Sequence, residues 1–417
     1  MQQTRRGLSL RSATKRSLLY VVARLLPAIS HLLISLFLFR LASSETYLGY
    51  AYGVVLIMGL GIVSTAWLTQ TLVRQNQLFT APILTLEVIT AGLLIIFIAT
   101  GPISILIHSY LLTKYGLTLA AIGSFYLSWL FFILLFHWRI GQGQPEIIIR
   151  AELLRAVLNL GALGSLLLWS DLSSAEMLIW ASTVATTASS LILIPNVRPT
   201  FRNPEYKNLL YSSLKHDWPA MVWFLAATAL FWLDRIAIES KVSDQLLAIY
   251  VLMSDLIQRG TQLLYGSIVV TVQPYIAEQA RNGPQDAISS LRIGLILHLA
   301  LTSAAVVFIW LLADPILTVL VADDAPQAAS VIWSLFAAYA LWQFAQVIQK
   351  PLEYGGWLGF VCCVGCLAAC GVYMLAGALV ATNGITAGAL ALSVVCLLYT
   401  LSIAAGLIVW KGRYPKT

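Results

Sequence analysis

Twelve apolar stretches follow one another along the chain, each about as long as a membrane-spanning helix. They cover 17–41, 46–72, 80–107, 117–138, 149–169, 175–195, 217–239, 246–273, 291–312, 327–349, 357–381 and 384–410. About 20 apolar residues cross the hydrocarbon core of a bilayer. They do so as helices, because lipid offers the backbone no hydrogen-bond partners. Several stretches exceed this length, which predicts tilted or protruding spans. Composition agrees. Only 10% of the 417 residues are charged, against roughly 25% in a soluble domain. Hydrophobic residues make up 59%, and mean hydropathy is +0.84. A soluble enzyme, a disordered chain and a nucleic-acid-binding protein are excluded. The expectation is an all-α polytopic membrane protein with twelve transmembrane helices.

Basic residues test the topology, because cytoplasmic loops are enriched in Lys and Arg. With residues 1–16 placed inside, 19 of the 25 basic residues fall on the cytoplasmic side, counting Arg150, Arg155 and Arg292 at span starts. Arg40, Lys114 and Lys241 fall outside, and Arg24, Arg235 and Arg259 lie within spans. This predicts both termini in the cytoplasm. The basic segment 1–16 precedes an apolar run too long for a cleavable signal core, so the first span is expected to be retained.

The longest connection, 196–216, lies near the middle of the chain. It predicts a basic tail (1–16), an N-lobe of six spans (17–195), a cytoplasmic connector (196–216), a C-lobe of six spans (217–410) and a short tail (411–417). The lobes share a weak pattern, FRLASSETYLGYAYGVV and ESKVSDQLLAIYVLMSD. Each has a short polar turn with an acid (Glu45, Asp244), then a small residue and a tyrosine. Two lobes with a shared plan are a common transporter architecture.

Three stretches carry a resemblance. They are LTQTLVRQ ending the second span, LFWLDRIAIESKVSDQLLAIYVLMSDLIQRG continuing to TVQPYIAEQ, and NGITAGALAL at 383–392. Together with the twelve-span order they resemble the Wzx-like O-antigen and exopolysaccharide flippases, the polysaccharide branch of the MATE-like MOP superfamily. The chain departs from that pattern after the ninth span, where ADPILTVLVADDAP, read as an outer loop, has no glycine. The resemblance implies alternating access by two MATE/MOP-like lobes in the bacterial inner membrane, for cell-surface polysaccharide biosynthesis. It implies undecaprenyl-diphosphate-linked oligosaccharide as substrate, with membrane lipids and polysaccharide polymerase or export machinery as partners, and no nucleic acid.

Ionisable residues inside spans are costly and mark cavities or partners. Arg24 and His31 lie seven residues apart, on nearly one face of the first span, with Pro27 between them. Arg24 is a candidate for binding phosphate, since guanidinium is permanently charged and bonds bidentately. Glu87 is placed to pair with Arg24 or to bind a proton or Na⁺. Asp234 and Arg235 are adjacent, so they cannot face one partner together; one is expected to face the cavity and the other the outer interface. Asp255 and Arg259 are four residues apart, a spacing that permits an intrahelical pair. Substrate-binding candidates are therefore Arg24, Arg235 and Arg259. Ion-coupling or cavity candidates are His31, Glu87, Asp234 and Asp255. His298 reads as a packed histidine. Tyr250, Tyr265 and Trp342 either pack or stack on sugar rings. Gly49/Gly53 and Gly355/Gly359 have the spacing of close helix contacts. Cys362, Cys366 and Cys370 share a helical face but have no neighbouring His or acid, so no metal site is expected.

No cofactor is expected apart from H⁺ or Na⁺ coupling, and no G-x-x-x-x-G-K-[ST] occurs to bind ATP. A cation-coupled multidrug antiporter of the same superfamily is the alternative; its cavity would be dominated by acids. A lipid II flippase is a further rival, though that family carries two more C-terminal spans than the twelve counted. A polysaccharide polymerase or glycosyltransferase would need longer outer loops, and no enzyme is expected.

Overall fold

The computed structural model describes residues 10–76, 109–141, 144–169, 174–194, 205–279 and 283–412. The helices are α1 (Leu10–Leu41), α2 (Ser44–Asn76), α3 (helical at 109–115), α4 (Leu119–Gly141), α5 (Pro145–Trp169) and α6 (Ala175–Leu193). The second half contains α7 (Glu205–Glu239), α8 (Asp244–Gln279), α9 (Pro284–Val321), α10 (Ala325–Ile348), the short α11 (Lys350–Tyr354), α12 (Leu358–Asn383) and α13 (Thr386–Gly412). Among the described residues, nine helices are long and apolar enough to cross a membrane. α8, which carries Asp244, Asp255 and Arg259, is not one of them.

The two halves pack by one scheme. In the N-lobe, α1 lies against α5, α2 against α4, and α6 against both α4 and α5. In the C-lobe, α7 lies against α12, α8 against α10, and α13 against both α10 and α12. The lobes meet where α2 packs on α7 and α1 on α8. Those two seams exchange when one lobe is mapped on the other, as a pseudo-twofold axis requires. The repeat is also local. Ser43 caps α2 by accepting the Thr46 N–H at 3.1 Å, and Ser243 caps α8 by accepting the Leu246 N–H at 3.4 Å. Serine is a favoured N-cap because its side-chain oxygen satisfies an orphan donor. The α1–α2 and α7–α8 turns therefore lie on one face of the bundle, called here the turn face.

Close approach needs small residues. A Cβ on Gly59 of α2 would sit 2.6 Å from Thr228 Cγ2 of α7. Gly49 and Gly53 pack against Ala175 and Ile179 of α6, in keeping with their expected role as helix contacts.

The fold corrects one boundary. The ninth span does not give way to a loop at ADPILTVLVADDAP: α9 runs through Asp314 and Pro315 to Val321. Proline removes a single backbone donor, so a helix supported by its neighbours continues past it. The expected connector is helical from 205, where it forms the start of α7. At 38 residues, α9 is about 57 Å long, well beyond the roughly 30 Å hydrocarbon core. It packs mainly on α8 and α10 and exposes Ile293, Leu299, Val307 and Trp310 outward.

Candidate functional site

Among the described residues, three groups of polar side chains bear on the expected site or on the contacts between the lobes. The first is a charge core inside the C-lobe. Arg235 Nη2 of α7 donates to Asp255 Oδ1 of α8 at 2.8 Å and to Ser254 Oγ at 3.0 Å. Ser254 Oγ lies 2.6 Å from the Tyr339 hydroxyl of α10. The guanidinium also sits over Trp232, 4.7 Å from the ring centroid. Asp234 turns the other way: one oxygen accepts the Arg235 backbone N–H at 2.8 Å and the other accepts the Tyr250 hydroxyl. Asp234, Arg235 and Asp255 are 0%, 1% and 4% exposed, which places all three in the interior. Arg235 therefore does not anchor at the outer interface, as one branch of the sequence reading had it. Asp255 pairs with Arg235 on the neighbouring helix, not with Arg259 on its own. Gly388 of α13 makes room for this arrangement, since a Cβ there would lie 2.8 Å from the Tyr250 hydroxyl.

The second group lies at the seam between lobes. Arg259 of α8 is half-buried and forms no ion pair or hydrogen bond with any described residue. Its charge acts on His31 of α1 and Tyr50 of α2. The same two residues also feel Arg155 of α5. Arg155 pairs with Glu152, Nη2 to Oε2 at 2.6 Å, and stacks on Phe132 and Trp129 of α4. One arginine from each lobe thus acts on the same two side chains. The sequence reading counted Arg155 as a basic flank at a span start. α5 begins at Pro145, which puts Arg155 about 15 Å along the helix from its start. The signal for it was an acid and a base three residues apart, Glu152 and Arg155, in a long apolar run.

The third group closes the turn face. Glu239 of α7 accepts Tyr110 at 2.6 Å, Tyr115 at 2.9 Å and Lys114 at 3.1 Å, all from α3. Arg40 of α1 donates to the Leu320 and Val319 carbonyls of α9. The Tyr52 ring of α2 meets Trp232 edge-on at 5.0 Å. Each of these joins the N-lobe to the C-lobe. Glu239 was not singled out from sequence, because its partners lie more than a hundred residues away.

Of the expected site residues, the structure places His31 and Arg259 on α1 and α8, which pack together at the seam, and gathers Asp234, Arg235 and Asp255 in a separate core. The Arg24 side chain and Glu87 lie outside the described residues. The expected aromatic and histidine candidates pack. His298 stacks on Tyr265 at 4.2 Å, and Trp342 stacks on Trp223 at 6.2 Å. Cys363, Cys366 and Cys370 face outward from α12. On the lipid side, an apolar cleft of about 520 Å³ lies between α8, α9 and α10, lined by Met253, Leu256, Gly260, Leu264, Phe308 and Phe336. Helical spacing turns most of these α8 residues away from Asp255, while Arg259 lies between the two faces, one turn from Leu256.

Solved structures share this arrangement. A lipid II flippase, MurJ, in an inward closed conformation superposes with a TM-score of 0.70 at 13% identity, covering 95% of this chain and 87% of MurJ. An outward-facing multidrug resistance MATE transporter of the MOP superfamily gives 0.65 at 14% identity, covering 96% and 97%. The chain has the MATE/MurJ fold. An inward-facing MATE transporter gives 0.61 at 14% identity, over 95% and 96%. No protein-family model and no curated sequence matches. The two-lobed, all-α membrane fold expected from the spans is therefore the observed one; the Wzx-like branch is a finer distinction that a shared fold does not make.

Proposed function

We propose that this chain is a flippase for polyprenyl-diphosphate-linked oligosaccharide in the bacterial inner membrane, serving cell-surface polysaccharide assembly. One observation carries the reading: Arg259, half-buried at the lobe seam, has no counter-ion among the described residues. A buried cation without a partner is costly, and an anionic ligand removes the cost. The buried acids among the described residues are already engaged. Asp255 is held by Arg235, Glu152 by Arg155, and Asp234 by Tyr250 and a backbone N–H. A site with its acids paired and a cation to spare suits a diphosphate better than a cationic drug.

The diphosphate and its glycan occupy the seam. The polyprenyl tail stays on the lipid side, in the apolar cleft between α8, α9 and α10. Breaking the turn-face contacts lets the lobes rock and the seam open outward. Proton or Na⁺ exchange, or the membrane potential, supplies the drive.

The test is translocation in proteoliposomes. Undecaprenyl-diphosphate-linked oligosaccharide is supplied on one face, and a membrane-impermeant glycosidase reports its arrival on the other. Protein-dependent flipping is expected. Arg259→Gln should slow it at least about tenfold, the worth of one charge-assisted hydrogen bond, with Arg259→Lys intermediate. Folded protein that flips no glycolipid but exchanges organic cations for H⁺ or Na⁺ would replace this reading with the antiporter.

A further inference from the structure

Arg40 of α1 crosses to the other lobe and ends on a helix terminus. Its Nε donates to the Leu320 carbonyl of α9 at 3.0 Å, and its Nη2 donates to the Val319 carbonyl. The last carbonyls of a helix have no partner within it, and they carry the negative end of the helix dipole. Arg139 does the same for α6 inside the N-lobe, through the Leu193 and Ile194 carbonyls. The two arginines differ in what is left over. Arg139 is buried and gives its Nη1 to Gln144. Arg40 is exposed, and its Nη1 bonds to no described residue. A guanidinium holds five N–H donors in a rigid fork. Neutral carbonyls on one edge fix its plane without cancelling its charge. The other edge, Nη1 with the second Nη2 hydrogen, keeps the spacing that a phosphate takes bidentately.

The same Leu320 lines the turn-face end of the apolar cleft between α8, α9 and α10. On α9 the lining begins at Leu301, so the cleft follows that helix for about 28 Å. Its deeper part is closed by α8, from Met253 to Leu264. The hydrocarbon core is roughly 30 Å thick, and a chain of one leaflet spans about half of it. A phospholipid at the turn face would therefore fill only the near half of the cleft, whereas a polyprenyl chain is long enough to follow all of it. Acids at this end do not claim the cation. Asp324 accepts Gln245 of α8 at 3.2 Å. Helical spacing puts Asp314 on the side of α9 away from the cleft. Neither these two nor the exposed Glu45 and Asp244 pair with Arg40.

We propose that Arg40 and this cleft are one binding site for a polyprenyl diphosphate at the turn face: the chain lies in the cleft and the diphosphate is held on the free edge of Arg40. The inference rests on the flippase reading, which puts the chain in the cleft, the diphosphate at the seam and the turn face outward. To that reading it adds a second station, occupied by a carrier that has crossed but not yet left. Arg40 belongs to the N-lobe and its anchor to the C-lobe, so the site is complete only while α1 and α9 touch. Capture there favours the closed turn face and keeps the carrier outside the seam.

Native mass spectrometry of the purified full chain from phosphatidylcholine nanodiscs tests the site, with undecaprenyl diphosphate as the probe. The background is Arg259→Gln, which removes the cation of the seam. That chain should retain one undecaprenyl diphosphate. Adding Arg40→Gln should weaken retention at least about tenfold, the loss of a charge-assisted contact. Arg40→Lys should recover little, because an ammonium has no second edge to offer once it bonds the carbonyls. Gly260→Phe, which fills the cleft from the other side, should weaken retention as well and serves if Arg40→Gln fails to fold. Farnesyl diphosphate should be held more weakly, and phosphatidylglycerol at equal fraction should not displace the probe. Retention that survives both Arg40→Gln and Gly260→Phe overturns the inference. So does full recovery in Arg40→Lys, which would leave only interfacial charge. Displacement by phosphatidylglycerol also overturns it, making the cleft an ordinary lipid seat. Glycolipid flipping separates the two readings. If flipping occurs and retention ignores Arg40, only this site falls. If retention depends on Arg40 and nothing is flipped, the site stands and the flippase reading falls.

Discussion

Arg235 and Asp255 form a 2.8 Å ion pair between α7 and α8 with both side chains out of reach of solvent. Removing one partner from such a pair leaves a bare charge in a low dielectric and costs about 3–5 kcal/mol, whereas replacing both with apolar residues is often neutral. Arg235→Met and Asp255→Leu should each lower the unfolding midpoint in mild detergent. The double variant should regain most of the loss. Additive losses would show that the two charges do not act as a pair.

At the turn face, Glu239 draws three groups of α3 onto α7. Glu239→Ala should shift the lobes toward the state open at that face. Charged contacts of this kind are worth about 1–3 kcal/mol, or roughly a 5- to 150-fold change in population. Spin labels at the exposed positions Leu112 and Lys241 report the change as a longer distance between lobes. An unchanged distance distribution would mean that Glu239 does not hold this end shut.

Gly388 and Tyr250 should couple in stability. Overpacking a core costs about 1–3 kcal/mol, and a side chain at 388 meets the hydroxyl that binds Asp234. Gly388→Ala should therefore destabilise the native protein more than it destabilises a Tyr250→Phe background. Equal losses in both backgrounds would place the strain elsewhere.

The cleft between α8, α9 and α10 can be filled without disturbing the backbone, because a Cβ on Gly260 meets nothing within 4 Å. Gly260→Phe should leave expression and melting unchanged. Flipping of an undecaprenyl-linked glycan should fall by about tenfold, the worth of roughly two buried methylenes, while a farnesyl-linked one is spared. Equal effects on both chain lengths would remove the tail from the cleft.

Sequence carried the helical plan because each span is an apolar run whose length the bilayer dictates. It lost the end of α9, where Asp314 and Pro315 read locally as a stop but the helix continues. It paired Asp255 with Arg259 because spacing along one helix is all that a single chain displays. The true partner, Arg235, comes from the packing of α7 on α8. Arg155 was lost through a span boundary misplaced by four residues, 149 for 145, enough to move a buried cation to the flank. Glu239 left no local signal, since its three partners belong to another span.

The shared packing scheme of the two halves has a further consequence. Ser43 and Ser243 sit 200 residues apart in matching caps, yet the positions equivalent to Asp234, Arg235 and Asp255 are Ile34, Ser35 and Val55. The scaffold is duplicated and the chemistry is not. Because both turns lie on one face, the axis that relates the halves maps that face on itself, and the two faces of the bundle stay unlike. Exchanging the halves therefore returns the same state, and duplication does not balance an opening at one face against an opening at the other. That balance is set by helix packing and side chains together.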